Sequence, residues 1–274
     1  MMGGEDGRIA AVQMISGAEV AANLAVATEL VAQAAGAGAA LVALPEYFAL
    51  LSADEHAKVA ARELDGSGPM QDWLAETAAR HGVWLVGGTI PLVADDAARV
   101  RNSVLVFDGS GRRVARYDKM HLFGFDNGAE RFDESRTIEA GSRVACVDTP
   151  FGRLGLSVCY DLRFPELYRA MHGVDLILVP SAFTATTGRA HWETLLRARA
   201  IENQCYVAAP AQGGMHAGGR RTWGHTMIID PWGEVLACRD AGPGIVLAEI
   251  EHSRLASVRT QLPALAHRRL DPAT

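Results

Sequence analysis

The chain has 274 residues, of which 26 Lys and Arg stand against 32 Asp and Glu for a net charge of −6, and 49% are hydrophobic. That composition excludes intrinsic disorder, collagen and a disulfide scaffold. With mild acidity and no basic run there is no electrostatic footprint for nucleic acid or an anionic membrane, so a small-molecule partner is expected.

Apolar periodicity predicts a strand over 8–14, a long helix over 18–35 ended by Gly36 and Gly38, and a strand over 40–45. A helix over 70–81, a buried strand over 83–90 and a hairpin of 104–107 with 113–117, turning at Asp108-Gly109-Ser110-Gly111, come next. An irregular stretch covers 121–141. Beyond it the pattern predicts a strand over 154–158, a helix over 165–172 with Pro165 in its first turn, a strand over 175–180 and a helix over 190–203. A strand over 205–209, a hairpin of 226–230 with 234–238 around Pro231-Trp232-Gly233, a strand over 245–249 and a helix over 253–262 complete the chain. Alternating βα units mixed with hairpins imply a layered α/β fold, and a dozen strands overfill one sheet. A single αββα domain over 1–274, with its core over about 8–269, is expected. Gly36-Ala37-Gly38 follows a helix rather than a strand, so it is no dinucleotide or phosphate loop.

Cys146, Cys159, Cys205 and Cys238 lie far apart, without the spacing that zinc sites use, so reduced thiols and no metal are expected. The first fifteen residues carry Glu5, Asp6 and Arg8 ahead of a short apolar run, unlike a secretory or transit segment. No stretch approaches the roughly 18 unbroken apolar residues a membrane helix requires, so no bilayer-spanning helix is expected, and the reduced thiols fit a cytoplasmic protein.

Three polar residues close strand-like segments at the edge where α/β folds gather their ligands: Glu46 after Leu41-Val42-Ala43-Leu44-Pro45, Lys119 after 113–117, and Cys159 after Gly155-Leu156-Ser157-Val158. Singly, each has an ordinary structural reading: a surface carboxylate, an exposed strand-end lysine, a packed thiol. Together they meet one chemical need, namely a base for the thiol, a sulfur nucleophile for an unactivated carbonyl, and a cation for the oxyanion. Cys146, Cys205 and Cys238 sit in apolar strand runs, where packing is the reading.

The segments Leu44-Pro45-Glu46, Tyr117-Asp118-Lys119-Met120-His121-Leu122 and Val158-Cys159-Tyr160-Asp161-Leu162-Arg163-Phe164-Pro165-Glu166 resemble those of the nitrilase, or carbon–nitrogen hydrolase, superfamily. The likeness continues through Pro180-Ser181-Ala182-Phe183, Thr187-Gly188, Ala190-His191-Trp192-Glu193 and Asp230-Pro231-Trp232-Gly233, and spans about Arg8 to Arg269. It is greatest to the Nit branch, to the deaminated-glutathione amidases and omega-amidases. The resemblance implies the four-layer αββα sandwich, a homodimer or higher homo-oligomer, no cofactor, and hydrolysis of a small carboxylate-bearing amide. A nitrilase or N-carbamoyl amino-acid hydrolase using the same three residues is the alternative within catalysis; a catalytically silent interaction protein is the alternative outside it.

Carried over position by position, the resemblance makes Glu46 the general base, Cys159 the thioester-forming nucleophile, and Lys119 with the backbone N–H of Tyr160 the oxyanion donors. The family's second glutamate maps to Glu134, in a loop that also carries Glu130 and Asp133. Arg163 is placed to bind a substrate carboxylate, and its structural alternative is an ion pair with Asp161 or Glu166. Tyr47, Phe183 and Thr187 match pocket-lining positions. His191, at the expected start of a helix, offers a rival Cys–His dyad but reads better as architectural.

Overall fold

Side-chain alternation along the first strand, Gly7–Gln13, assigns its two faces to two different cores. Ile9 and Ala11 join Leu154 and Leu156, whereas Ala10 and Val12 join Leu30 and Val31 of the helix Val20–Gly36 and Leu74 of the helix Pro69–His81. One face therefore meets another sheet and the opposite face meets helices. Each fully buried Leu or Val contributes about 1.5–3 kcal/mol to holding these layers. The computed structural model describes residues 5–270, so the outermost residues of the expected 1–274 domain lie outside the described residues.

The first sheet runs in the order Gly244–Ile250, Gly7–Gln13, Leu41–Ala43, Trp84–Val86, Val100–Phe107, Ile90–Val93, with Arg113–Asp118 also paired to Val100–Phe107. The second runs Val235–Arg239, Thr226–Ile229, Tyr206–Ala209, Leu176–Leu178, Gly152–Leu156, Ala145–Thr149. The helix Ala185–Asn203 contributes Trp192, Leu196 and Ala200 to the core of the second sheet. The result is the expected order of layers, helix, sheet, sheet, helix.

Three parallel strands stand in each sheet, Gly7–Gln13 with Leu41–Ala43 and Trp84–Val86, and Gly152–Leu156 with Leu176–Leu178 and Tyr206–Ala209. Their C-terminal ends form the edge where α/β sheets bind ligands. Two antiparallel steps, from Trp84–Val86 to Val100–Phe107 to Arg113–Asp118, restore the original direction. Glu46, Lys119 and Cys159 thus emerge at strand ends of two facing sheets.

Several boundaries differ from the sequence reading. The strand expected over 83–90 is two short strands, Trp84–Val86 and Ile90–Val93, which pair with successive stretches of Val100–Phe107 on the side away from Arg113–Asp118. The break falls at Gly88, whose φ is 49° and where a Cβ would stand 2.1 Å from the carbonyl oxygen of Pro45. That backbone is uncommon outside glycine, and the close approach leaves no room for a Cβ. The helix expected over 190–203 begins at Ala185, where the Thr184 hydroxyl caps it by accepting from the Thr187 N–H at 3.3 Å. His191 therefore lies inside the helix rather than at its start. The irregular stretch 121–141 contains a small hairpin, Gly124–Asp126 with Arg131–Asp133, and the strand Ala145–Thr149 went unpredicted.

Candidate active site

Glu46 is pinned at both its backbone and its side chain. Its carbonyl oxygen accepts from the Gln212 amide at 3.1 Å, and the next residue, Tyr47, donates its N–H to Thr89 Oγ1 at 2.9 Å. The carboxylate is buried and accepts from Asn102 Nδ2 and Lys119 Nζ on Oε1, both at 2.9 Å, and from the Ala182 N–H on Oε2 at 2.9 Å. Lys119 is wholly buried and also donates to Glu134 Oε2 at 2.7 Å. Of the three loop carboxylates, Glu134 is the one that reaches the lysine. Glu130 bonds the Thr186 hydroxyl and Asp133 accepts from its neighbour Ser135. Glu134 is further held by the Phe123 N–H at 2.8 Å and the Tyr47 hydroxyl at 2.9 Å.

Cys159 follows the strand Gly152–Leu156 at a φ of 50°, a conformation uncommon outside glycine and often found where a side chain must be presented to a pocket. Its N–H is fixed to the Pro180 carbonyl at 3.0 Å. Cys159, Tyr160, Arg163, Phe183, Thr187 and Glu134 line one narrow pocket, with Glu46 and Lys119 buried behind it.

The charges are strongly interdependent. Burial works against the ammonium of Lys119, but Glu134 and Glu46 outweigh it and hold its pKa well above the usual lysine value. Burial would raise the pKa of Glu134, yet the charge and hydrogen bond of Lys119 prevail and lower it. For Cys159, burial and then the Glu46 charge push the thiol up, with Lys119 opposing. The resting site therefore holds an ionised lysine between carboxylates and a neutral thiol. Such a thiol needs a proton acceptor when it attacks.

Arg163 makes neither ion pair offered as its structural alternative. Its guanidinium meets His191 Nδ1 at 3.2 Å and lies over the rings of Tyr160 and Phe183, and no carboxylate pairs with it among the described residues. His191 is thus a neighbour of the arginine and exposed on its helix. Asp161 is occupied elsewhere. Fully buried, it accepts from Tyr117 Oη at 2.7 Å, the Val158 N–H at 2.8 Å, and the His121 N–H and ring Nδ1 at 3.0 and 2.7 Å. That carboxylate joins the cysteine turn of the second sheet to the lysine segment of the first. Tyr47 lies outside the pocket lining, at a φ of 57°, and touches the site through its hydroxyl on Glu134.

Sequence reasoning passed over Asn102, Lys58 and Arg220. Asn102 left a trace, being a buried polar residue inside the otherwise apolar strand Val100–Phe107. The other two sit in loop or short-helix segments whose positions follow from tertiary packing alone. Among the described residues no group of three or more His, Cys, Asp or Glu side chains is arranged to hold a metal ion, and no helix is long and apolar enough to cross a membrane.

Residues 8–260 match the carbon–nitrogen hydrolase family. The chain belongs to that family. It is 42% identical to a deaminated glutathione amidase of Yersinia enterocolitica, over 97% of this chain and 94% of that protein. It is 39% identical to the omega-amidase NIT2 of Danio rerio, over 96% and 95% respectively. In structure it is similar to the Caenorhabditis elegans NitFhit protein, with a TM-score of 0.88 and 40% identity, covering 98% of this chain and 66% of that longer one. This carbon–nitrogen hydrolase is accordingly an enzyme that acts on amides.

Proposed function

We propose that the enzyme hydrolyses a small carboxylate-bearing amide, deaminated glutathione or a related omega-amide of a 2-oxo acid, through a thioester on Cys159 and without a cofactor. The observation that carries this is the fully buried Lys119, held at 2.9 Å from Glu46 and 2.7 Å from Glu134 behind the pocket that Cys159 lines. A buried cation of this kind, with its carboxylates fixed by further donors, is pre-arranged for charge that develops on a substrate oxygen.

In this mechanism Sγ attacks the amide carbon while Glu46 takes the thiol proton. The carbonyl oxygen gathers negative charge and is held by Lys119 Nζ and the Tyr160 N–H. Loss of one such donor typically costs about 2.7–4 kcal/mol of barrier. Glu46 then passes its proton to the nitrogen, the C–N bond breaks and ammonia or an amine departs, leaving the acyl group on sulfur. Water attacks the thioester as Glu46 accepts its proton; the acid leaves and the thiol regains a proton. Glu134 holds Lys119 charged and in place. Arg163 receives the acyl-side carboxylate in a two-pronged contact, while Phe183 and Thr187 shape the pocket and Tyr47 orients Glu134. A single domain that assembles as a homodimer or higher homo-oligomer in the cytoplasm belongs to the same reading.

The test is a panel of amides scored by ammonia or amine release, with mass spectrometry of the trapped enzyme. Turnover of 2-oxoglutaramate or deaminated glutathione and an acyl adduct on Cys159 are expected. No turnover of either, with a Cys159→Ala variant indistinguishable from the parent on every amide tried, overturns the proposal.

A further inference from the structure

A carboxylate accepts about four hydrogen bonds, two on each oxygen, and in Glu46 three of these positions are taken. Lys119 Nζ and Asn102 Nδ2 fill Oε1, each at 2.9 Å, and the Ala182 N–H occupies one position on Oε2 at 2.9 Å. The other position on Oε2 is the one left open among the described residues. Ala182 ties this oxygen to the nucleophile, because it lines the pocket with Cys159 and its N–H also reaches the sulfur. Burial and then the Glu46 charge push that thiol up, and Lys119 and the Ala182 N–H oppose them.

The strand Val100–Phe107 explains how Asn102 comes to be there. Val104 and Val106 join the core between the sheets, whereas Leu105 and Phe107 meet the helices, so by alternation Asn102 continues the stripe that faces the second sheet. It is buried where the pattern calls for another apolar side chain. An amide at such a position needs a partner to offset its lost hydration, and since an ionised carboxylate only accepts, the nitrogen is the atom that faces Glu46. The main-chain carbonyl of Asn102 accepts the Lys119 N–H at 3.0 Å. One residue thus grips the base by its side chain and the lysine by its backbone. The charged and titratable groups around Glu46 are Lys119, Cys159, Tyr47 and, bonded to the same lysine, Glu134. Asn102 is neutral, so it orients the carboxylate without altering their balance of charge.

We infer that Asn102 is a positioning residue for the hydrolysis: with Lys119 it closes Oε1 of Glu46, so that the proton travels through Oε2 alone. The S–H bond breaks with its electron pair left on sulfur for the bond to the amide carbon, and the proton joins Oε2. The same proton then passes from Oε2 to the amide nitrogen, and the C–N bond breaks with its pair on nitrogen. Two donors on Oε1 keep the carboxylate from turning that oxygen toward the sulfur or holding the proton on the wrong side. This inference rests on the thioester reading above and adds how its base is aimed.

The experiment is the pH profile of Asn102→Leu, which keeps the bulk and removes the donor, with Asn102→Val as the smaller variant should leucine distort the strand. Circular dichroism verifies folding. A loss of about 10- to 100-fold in kcat with KM close to the parent value is expected, the size of a hydrogen bond to a charged group. The donor favours the ionised carboxylate, so without it the carboxyl holds its proton to higher pH, and the acid limb of kcat/KM should move up by about one pH unit. Ser103→Ala controls for a loosened strand: it deletes the hydroxyl's bond to Asp118 at 2.6 Å and should leave the limb in place. A limb that stays put in both Asn102 variants, or that moves equally in Ser103→Ala, overturns the inference. Should the parent hydrolyse no amide, the amidase reading fails by itself, and infrared titration decides the placement. The carboxyl band that vanishes in Glu46→Gln is then expected to appear at higher pH in Asn102→Leu than in the parent, and equal midpoints end the inference.

Discussion

Two buried thiols of this protein differ less in their own surroundings than in what stands next to them. Cys205 immediately precedes the strand Tyr206–Ala209 and Cys159 follows the strand Gly152–Leu156, and burial raises the pKa of each. Cys205 meets its neighbours as part of a packed core. Cys159 sits on a left-handed backbone turn at a pocket, with the buried Glu46–Lys119–Glu134 array behind it. Burial alone yields an inert sulfur, and in the proposed mechanism the adjoining proton acceptor is what makes the second one a nucleophile.

The contrast can be broken most forcefully at the sulfurs themselves. Cys159→Ala is expected to abolish amide turnover, whereas Cys205→Ala keeps it; steady-state amine release on folded variants reads both. If Cys205→Ala is the one that kills activity, the distinction is wrong. Next in size is Glu46→Gln, for which a loss of about 10²–10⁴ in kcat is expected from removal of a general base. The same change removes a negative charge that holds the thiol up, so the thiolate fraction at neutral pH should rise. Iodoacetamide should therefore label Cys159 faster in Glu46→Gln even as turnover falls, and a parallel drop in both would contradict this electrostatic account.

A smaller effect is expected in the pH profile of alkylation in the parent enzyme. Because the Cys159 pKa is raised, its reactive thiolate is scarce at neutral pH, and the labelling rate should climb through the ordinary thiol range without levelling. A plateau near pH 7 would instead reveal an already ionised sulfur. The smallest change is in stability. Cys205→Ala removes one buried sulfur and should cost about 1 kcal/mol in urea unfolding.

How much of this was legible in the sequence depends on how local the determinant is. Glu46, Lys119 and Cys159 each follow a strand-like segment, apolar for Glu46 and Cys159 and mixed for Lys119, so their place at strand ends could be read directly. The layered fold followed from alternation of strands with helices. Gly88 was not legible as a strand break, because its need for glycine comes from the Pro45 carbonyl, which approaches from another segment. The start of the helix at Ala185 was hidden by Thr186, Thr187 and Gly188, poor helix formers that the Thr184 cap and the fold override. Arg163 could be numbered from the sequence, but its surroundings could not: the alternative ion pair with Asp161 is absent because Asp161 is already filled by four donors. Arg220 and Lys58 carry no periodic signal, and only packing brings them to one cavity.

The four-donor Asp161 has a mechanical consequence. It rivets a turn from one sheet to a segment from the other, so any sliding of one layer over its neighbour is passed directly to the spacing between sulfur and ammonium. Warming that loosens the seam should silence the enzyme while its helices and strands are still intact.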